Sequence, residues 1–109
     1  MNRRGIVYVQ ETPAGLIEEF DGGFRFSYLE SYIGLTHAAP VSFTLPLRRE
    51  PYEDRFLFPF FDGLIPEGWL LSITEKNWKV DRRDRMGLLL SVCGDCIGDV
   101  SVRAGEEVR

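Results

Sequence analysis

The residues best suited to chemistry in this 109-residue chain are the two cysteines of Cys93-Gly-Asp-Cys96. Their spacing matches a dithiol redox motif and also half of a zinc site. Zinc would need two further ligands, and the chain offers a single histidine, His37, far away in sequence. A redox cysteine is activated by a helix N-terminus, which lowers its pKa. Here Cys93 falls at the C-terminal end of a predicted helix, where the dipole opposes a thiolate. The pair therefore reads first as two small apolar residues around a helix stop. A small dithiol oxidoreductase is kept as an alternative. His37, in a Thr-His-Ala-Ala-Pro turn, reads as a surface or second-strand residue, and one histidine leaves no Ser/His/Asp arrangement to build. No P-loop and no G-x-G-x-x-G is present. The acidic pairs Glu18-Glu19 and Glu53-Asp54 read as solvated charges. No catalytic residue, metal or cofactor is expected, and the chain does not read as an enzyme.

Charge narrows the class further. Seventeen acidic and 13 basic residues give a net charge of −4, with a pI near 5.0. That argues against non-specific binding to nucleic acid or to an anionic membrane, both of which need a basic face. No signal peptide and no membrane-length apolar run is visible, and two cysteines do not make a disulfide framework. The expectation is a cytoplasmic protein with one domain over 1–109 and an ordered core over about 5–104.

The elements that must position any site follow from periodicity. Gly5–Gln10 is a β-branched strand, Glu11–Gly15 a turn and Leu16–Phe20 the returning strand. Asp21-Gly-Gly23 makes the next reversal, and Phe24–Tyr28 alternates aromatic and polar as a third strand. Leu29–Leu35 predicts one or two helical turns stopped near Gly34. Val41, Phe43 and Leu45 alternate with Ser42 and Thr44 between prolines, which predicts a short edge strand. Arg48–Asp54 reads as charged surface. Asp81 is expected to cap a helix over Arg82–Val92 whose apolar residues point nearly all round, so that it is buried. Gly94 ends that helix, and Ile97–Ala104 is the last strand. The fold class expected is α+β: a small antiparallel sheet, with an N-terminal meander plus edge and C-terminal strands, packed against three to four helices.

The chain's heavy apolar content is concentrated between Phe56 and Leu70. Phe56, Phe58, Phe60, Phe61 and Trp69 fall within fourteen residues, punctuated by Pro59, Gly63, Pro66 and Gly68. The pattern predicts a short helix over Arg55–Leu64, a tight turn at Ile65–Gly68 and a second helix to about Lys79. Pro66 suits the first turn of that helix, and Glu67 complements its dipole. Leu70, Ile73, Thr74 and Asn77 share one face of it, opposite Ser72, Glu75, Lys76 and Lys79. Trp69 lies on the seam, and two readings stay open for it: a partly covered core edge or a contact with a partner.

Several phrases together resemble the N-terminal subdomain of HipA-type serine/threonine kinases, the toxins of bacterial persistence modules. They are Phe26–Tyr28 with Tyr32, Pro40–Pro46 with Tyr52, Phe60-Phe61, Gly63–Gly68, Met86–Leu89 and Gly94–Gly98. They run in the family's order across roughly residues 5–103. Asp99 stands where the family usually has a small residue, and Trp69 follows the Pro-Glu-Gly turn where no particular aromatic is expected. The kinase core that follows this subdomain in the family, with its lysine and two aspartates, has no counterpart here.

The chain therefore resembles the free-standing HipS-like antitoxin of tripartite HipBST modules. The resemblance implies a partner, a HipA-like (HipT-type) kinase toxin lacking this subdomain, together with a HipB-like helix-turn-helix repressor as a further component. It implies inhibition in trans, without direct nucleic-acid or membrane contact. The residues expected to bind the kinase are Pro66, Glu67, Gly68, Trp69 and Ile73, with Trp69 filling a pocket at or near the active site. A non-inhibitory subdomain that completes a split kinase is the alternative.

Overall fold

The computed structural model describes residues 3–65, 83–92 and 99–104. The expected Pro66–Lys79 turn and helix, Asp81, and the Cys93–Cys96 motif lie outside the described residues. Strand β1 (Arg4–Val9) turns into β2 (Thr12–Phe20), which turns into β3 (Gly23–Tyr28). A short helix α1 (Glu30–Ile33) follows, then an irregular segment, then β4 (Tyr52–Asp54) and a helical turn α2 (Pro59–Asp62). Helix α3 (Arg85–Val92) and strand β5 (Val100–Ala104) complete the described chain. All pairings are antiparallel, and the sheet runs β4-β3-β2-β1-β5. The expected α+β architecture is present.

The first hairpin turns earlier than the sequence suggests. Its loop is Gln10-Glu11, both at positive φ (52° and 77°), the mirror-image geometry that matches the twist of flanking strands. The Glu11–Gly15 stretch expected as the turn is thus already mostly strand. Pro13 pairs with Tyr8 beside a register shift, beyond the last residue that β3 pairs. Its missing N–H therefore costs no ladder bond on that side. The second hairpin turns at Gly22, whose φ of +94° is left-handed and favours glycine.

Register sorts the side chains. Val7, Ile17, Phe26, Tyr28, Val100 and Val102 lie on one face and are buried. Helix α3 covers the β1–β5 end of this face through Met86, Leu88 and Leu89, all buried. Its approach is close, because a Cβ on Gly5 would stand 2.6 Å from Leu90 Cδ2. Asp84 starts this helix, accepting the Gly87 N–H at 3.1 Å, one turn later than the cap expected at Asp81. The opposite face carries a row of alternating charge, Arg4–Glu18–Arg25–Glu53, directly opposed across four strands. Arg25 and Glu53 bond at 2.8 Å, and opposed unlike charges favour this register.

Two expectations are corrected. Residues 41–45 do not form a strand; they make a tight turn closed by a single bridge between Ser42 and Leu45. The edge strand is instead Tyr52–Asp54, within the stretch read as charged surface. It runs beside β3 as the register Phe24–Asp54, Arg25–Glu53, Phe26–Tyr52.

Candidate partner-binding site

The described part of the aromatic stretch, Phe56–Ile65, is a corner of the core. Pro59 opens α2 at its first position, where a missing N–H is tolerated, and Gly63 closes it. Phe61 is fully buried, with its ring centroid 5.1 Å from Phe26 and 5.2 Å from Phe60. Leu57, Phe58 and Ile65 are buried with it. Phe56, grouped with these aromatics in the sequence, instead points outward and is 69% exposed.

Ile65 is the last described residue before the expected Pro66–Gly68 turn, and it is anchored in the core. On the far side of residues 66–82, Arg85 Nε donates to Asp62 Oδ1 at 2.6 Å. The chain therefore leaves and re-enters the described fold at one place. Pro66, Glu67, Gly68, Trp69 and Ile73 themselves lie outside the described residues, so what the structure supplies is the base from which that segment departs.

A cleft of about 530 Å³ opens at this base, between Phe24, Phe56, Leu57 and Pro59 on one side and Arg83–Met86 on the other. Two of its carboxylates, Glu19 and Asp84, share one partner beside the cleft. Arg3 forks onto Glu19 (2.8 and 2.9 Å) and onto Asp84 (2.7 and 3.0 Å), joining β2 to the start of α3. Both carboxylates raise the Arg3 guanidinium's pKa further above its ordinary value. Arg3 in turn holds the Asp84 carboxyl below the usual carboxylate range, with the Gly87 N–H assisting. Among the described residues no group of three His, Cys, Asp or Glu is placed to hold a metal ion. Of the two places expected for His37, surface or second strand, the structure gives the surface: the residue is exposed. The cleft thus sets the apolar Phe24, Phe56, Leu57, Pro59 and Met86 beside the charged Glu19, Asp62, Arg83, Asp84 and Arg85.

A second feature was not read from the sequence. Three tyrosine hydroxyls hold the irregular segment between α1 and β4. Tyr28 Oη accepts the Val41 N–H at 3.0 Å and donates to the Leu45 carbonyl. Burial pushes the Tyr28 phenol up to about 12, against the opposing effect of the Val41 bond. Tyr32 Oη donates to the Ala39 carbonyl at 2.7 Å and accepts the Ala39 N–H at 3.1 Å. Tyr52 Oη donates to the Pro46 carbonyl at 2.6 Å, and the Arg48 guanidinium lies 3.6 Å from the Tyr52 ring centroid. The sequence signal was there, since all three tyrosines stand among the phrases that carry the family resemblance.

The comparisons agree with that resemblance. The model of the HipA N-terminal domain family matches residues 5–103. An uncharacterised protein of Haemophilus influenzae is 33% identical over 101 residues, 93% of this chain and 92% of that one. A Sinorhizobium fredii protein bearing the name "Putative kinase Y4mE" is 34% identical over 77 residues, 71% of this chain but only 18% of the relative. Among solved structures, one described as the N-terminal domain of HipA toxin superposes with a TM-score of 0.72. It is 31% identical, with 96% of this chain and 94% of that chain covered. The likeness is to the N-terminal part of HipA and not to its catalytic part. From the second residue of β1 to the penultimate residue of β5, this chain belongs to the HipA N-terminal domain family.

Proposed function

We propose that the protein is an antitoxin. It binds a HipA-like serine/threonine kinase toxin that lacks its own N-terminal subdomain, and it inhibits that kinase in trans. The observation that carries this reading is how the domain is distributed among relatives. It fills 92% of the Haemophilus influenzae protein but only 18% of the Sinorhizobium fredii protein that carries a kinase name. A domain that stands beside a kinase in one chain and forms nearly a whole protein elsewhere is suited to rebuild the same interface between two chains. No helix of the described residues is long and apolar enough to cross a membrane, which agrees with a partner met in solution.

In this reading the turn Pro66-Glu67-Gly68 presents Trp69 to a pocket at or near the kinase active site. Ile73 adds apolar contact and Glu67 a charge. Tryptophan is the residue most enriched among energetic anchors of interfaces. The buried Ile65 and the Asp62–Arg85 pair supply a fixed base for that presentation. A HipB-like repressor is the further partner of the complex, and the protein itself does no chemistry.

The test is phosphorylation by a HipA-like kinase that lacks its own N-terminal subdomain, measured with wild type and with Trp69→Ala. Wild type should inhibit, and the variant should lose inhibition with binding weakened by about 2–4 kcal/mol. A folded Trp69→Ala protein that inhibits normally removes the anchor. Binding by wild type without any inhibition favours the alternative, a subunit that completes a split kinase, and the same 18% coverage supports that second reading.

A further inference from the structure

We infer that the open face of the sheet docks on the same face of a second copy of this chain, through the charge row Arg4–Glu18–Arg25–Glu53. This contact goes beyond the antitoxin reading and needs no kinase. Helices α2 and α3 pack on the other face, through Phe61 and through Met86, Leu88 and Leu89. Ile6, Leu16 and Phe20 share the open face with the row. They are half-buried, yet among the described residues none of them packs against the core.

The row is only half satisfied within one chain. Arg25 Nε donates to Glu53 Oε2 at 2.8 Å, and the Arg25 guanidinium lies 4.9 Å from the Phe20 ring centroid. Arg4 and Glu18 stand directly opposite each other in the register. No ion pair joins them, or ties either to another of the described residues.

The order of the charges selects the occupant. A twofold axis running along the strands, between β2 and β3, turns the row end for end onto itself. It lays Arg4 over the partner's Glu53 and Glu18 over the partner's Arg25, and each contact occurs twice. The two unpaired charges of one chain thus meet the paired couple of the other, and the four close into a ring. An axis across the strands would instead set every charge on its own like, so the row fixes one orientation. A surface of single sign would meet as many like charges as unlike ones. A second copy carries the matching alternation at the same strand spacing of about 4.8 Å. Stacked sheets lie about 10 Å apart, a gap that facing arginine and glutamate side chains span. Leu16 and Phe20 flank the row along β2 and add apolar contact. The face is small for an interface, so the dimer is weak and salt-sensitive.

Sedimentation of the full chain at low and high salt is the test. Wild type should form a reversible dimer by about 1 mM chain and lose it as salt rises. Arg25→Glu should weaken the dimer about 10-fold or more, since like charges then face each other twice. Arg4→Glu, at an exposed position, should do the same while melting close to wild type. The exchange Glu18→Arg with Arg25→Glu is the decisive variant. Within one chain it sets like beside like, at 4 and 18 and at 25 and 53, so stability falls. Across the twofold axis every facing pair stays unlike, so the dimer returns. Wild type that stays monomeric at low salt overturns the inference. So does a dimer that neither single reversal weakens, or an exchange variant that folds but stays monomeric. Kinase binding lost in Arg4→Glu, with wild type monomeric on its own, gives the face to the kinase and likewise overturns it. The antitoxin reading stands in each of these cases.

Discussion

The β1–β2–β3 meander and the segment from Ala38 to Tyr52 sit side by side and are held by different means. The meander is a ladder, in which each strand's backbone groups meet those of a neighbour in register. The irregular segment has almost no ladder. A single bridge joins Ser42 to Leu45, and side-chain hydroxyls of Tyr28, Tyr32 and Tyr52 meet the backbone at Val41, Leu45, Ala39 and Pro46. A buried backbone group must be paired somewhere. A ladder does this through the chain's own repeat. The tyrosines do it one atom at a time, from residues that belong to the sheet or to α1. The segment is thereby given a fixed shape without a repeating pattern, and such a shape is free to put Phe43 outside.

That contrast is broken most severely at Phe26, which lies in the meander and packs on Tyr28 at 4.8 Å and Phe61 at 5.1 Å. Phe26→Ala should cost about 3–5 kcal/mol by emptying a fully buried site. Denaturant melts should show both regions failing in one transition. A selective loss of the irregular segment with the sheet intact would mean that the two are less coupled than the shared rings imply.

Tyr28→Phe keeps the ring and removes only the clasp. It leaves the Val41 N–H and the Leu45 carbonyl without their partner and should cost about 1–3 kcal/mol. Hydrogen exchange should quicken at Val41 well before it does in β2. Equal quickening in both places would show that the clasp is not local.

The smallest effect is in alkali. Burial raises the Tyr28 phenol to about 12 from an ordinary value of 10.0. Between those values the unfolded chain is ionised at this residue while the folded one keeps its proton. The contribution is complete below pH 10 and is lost as pH rises through 12. Stability of the wild type should therefore fall more steeply across that window than stability of Tyr28→Phe. Parallel curves would place the alkaline loss elsewhere.

The same contrast explains what could be read from sequence. Ladder regions announce themselves locally: Gly5–Gln10 by its β-branched residues, Leu16–Phe20 as the return of a hairpin, and Phe24–Tyr28 by alternation with period two. Val41, Phe43 and Leu45 alternate too, yet the alternation misleads. The fold buries the first and the last, four residues apart across a turn, and reverses the middle one. Prolines at 40 and 46 stop a ladder from forming through their own positions, and the residue that settles the matter, Tyr28, is 13 positions from Val41. Strand β4 hides for the opposite reason. Its Glu53 and Asp54 look like surface until Arg25 is placed opposite Glu53. Helix α3 starts a turn later than Asp81 suggests, because the capping role of Asp84 is shared with an ion pair to Arg3, 81 residues away. The expected partner contacts at Pro66, Glu67, Gly68, Trp69 and Ile73 rest on the family likeness, on the seam position that helical periodicity gives Trp69 and on the enrichment of tryptophan among interface anchors.

The ion pair between Asp62 and Arg85 joins α2 to α3 across 23 positions of sequence. The pair is part-exposed, so salt weakens it. The buried contact of Phe61 with Phe26 beside it does not answer to salt in that way. The firmness with which α2 holds α3 is thus adjustable by ionic strength, while that of the core beneath is not.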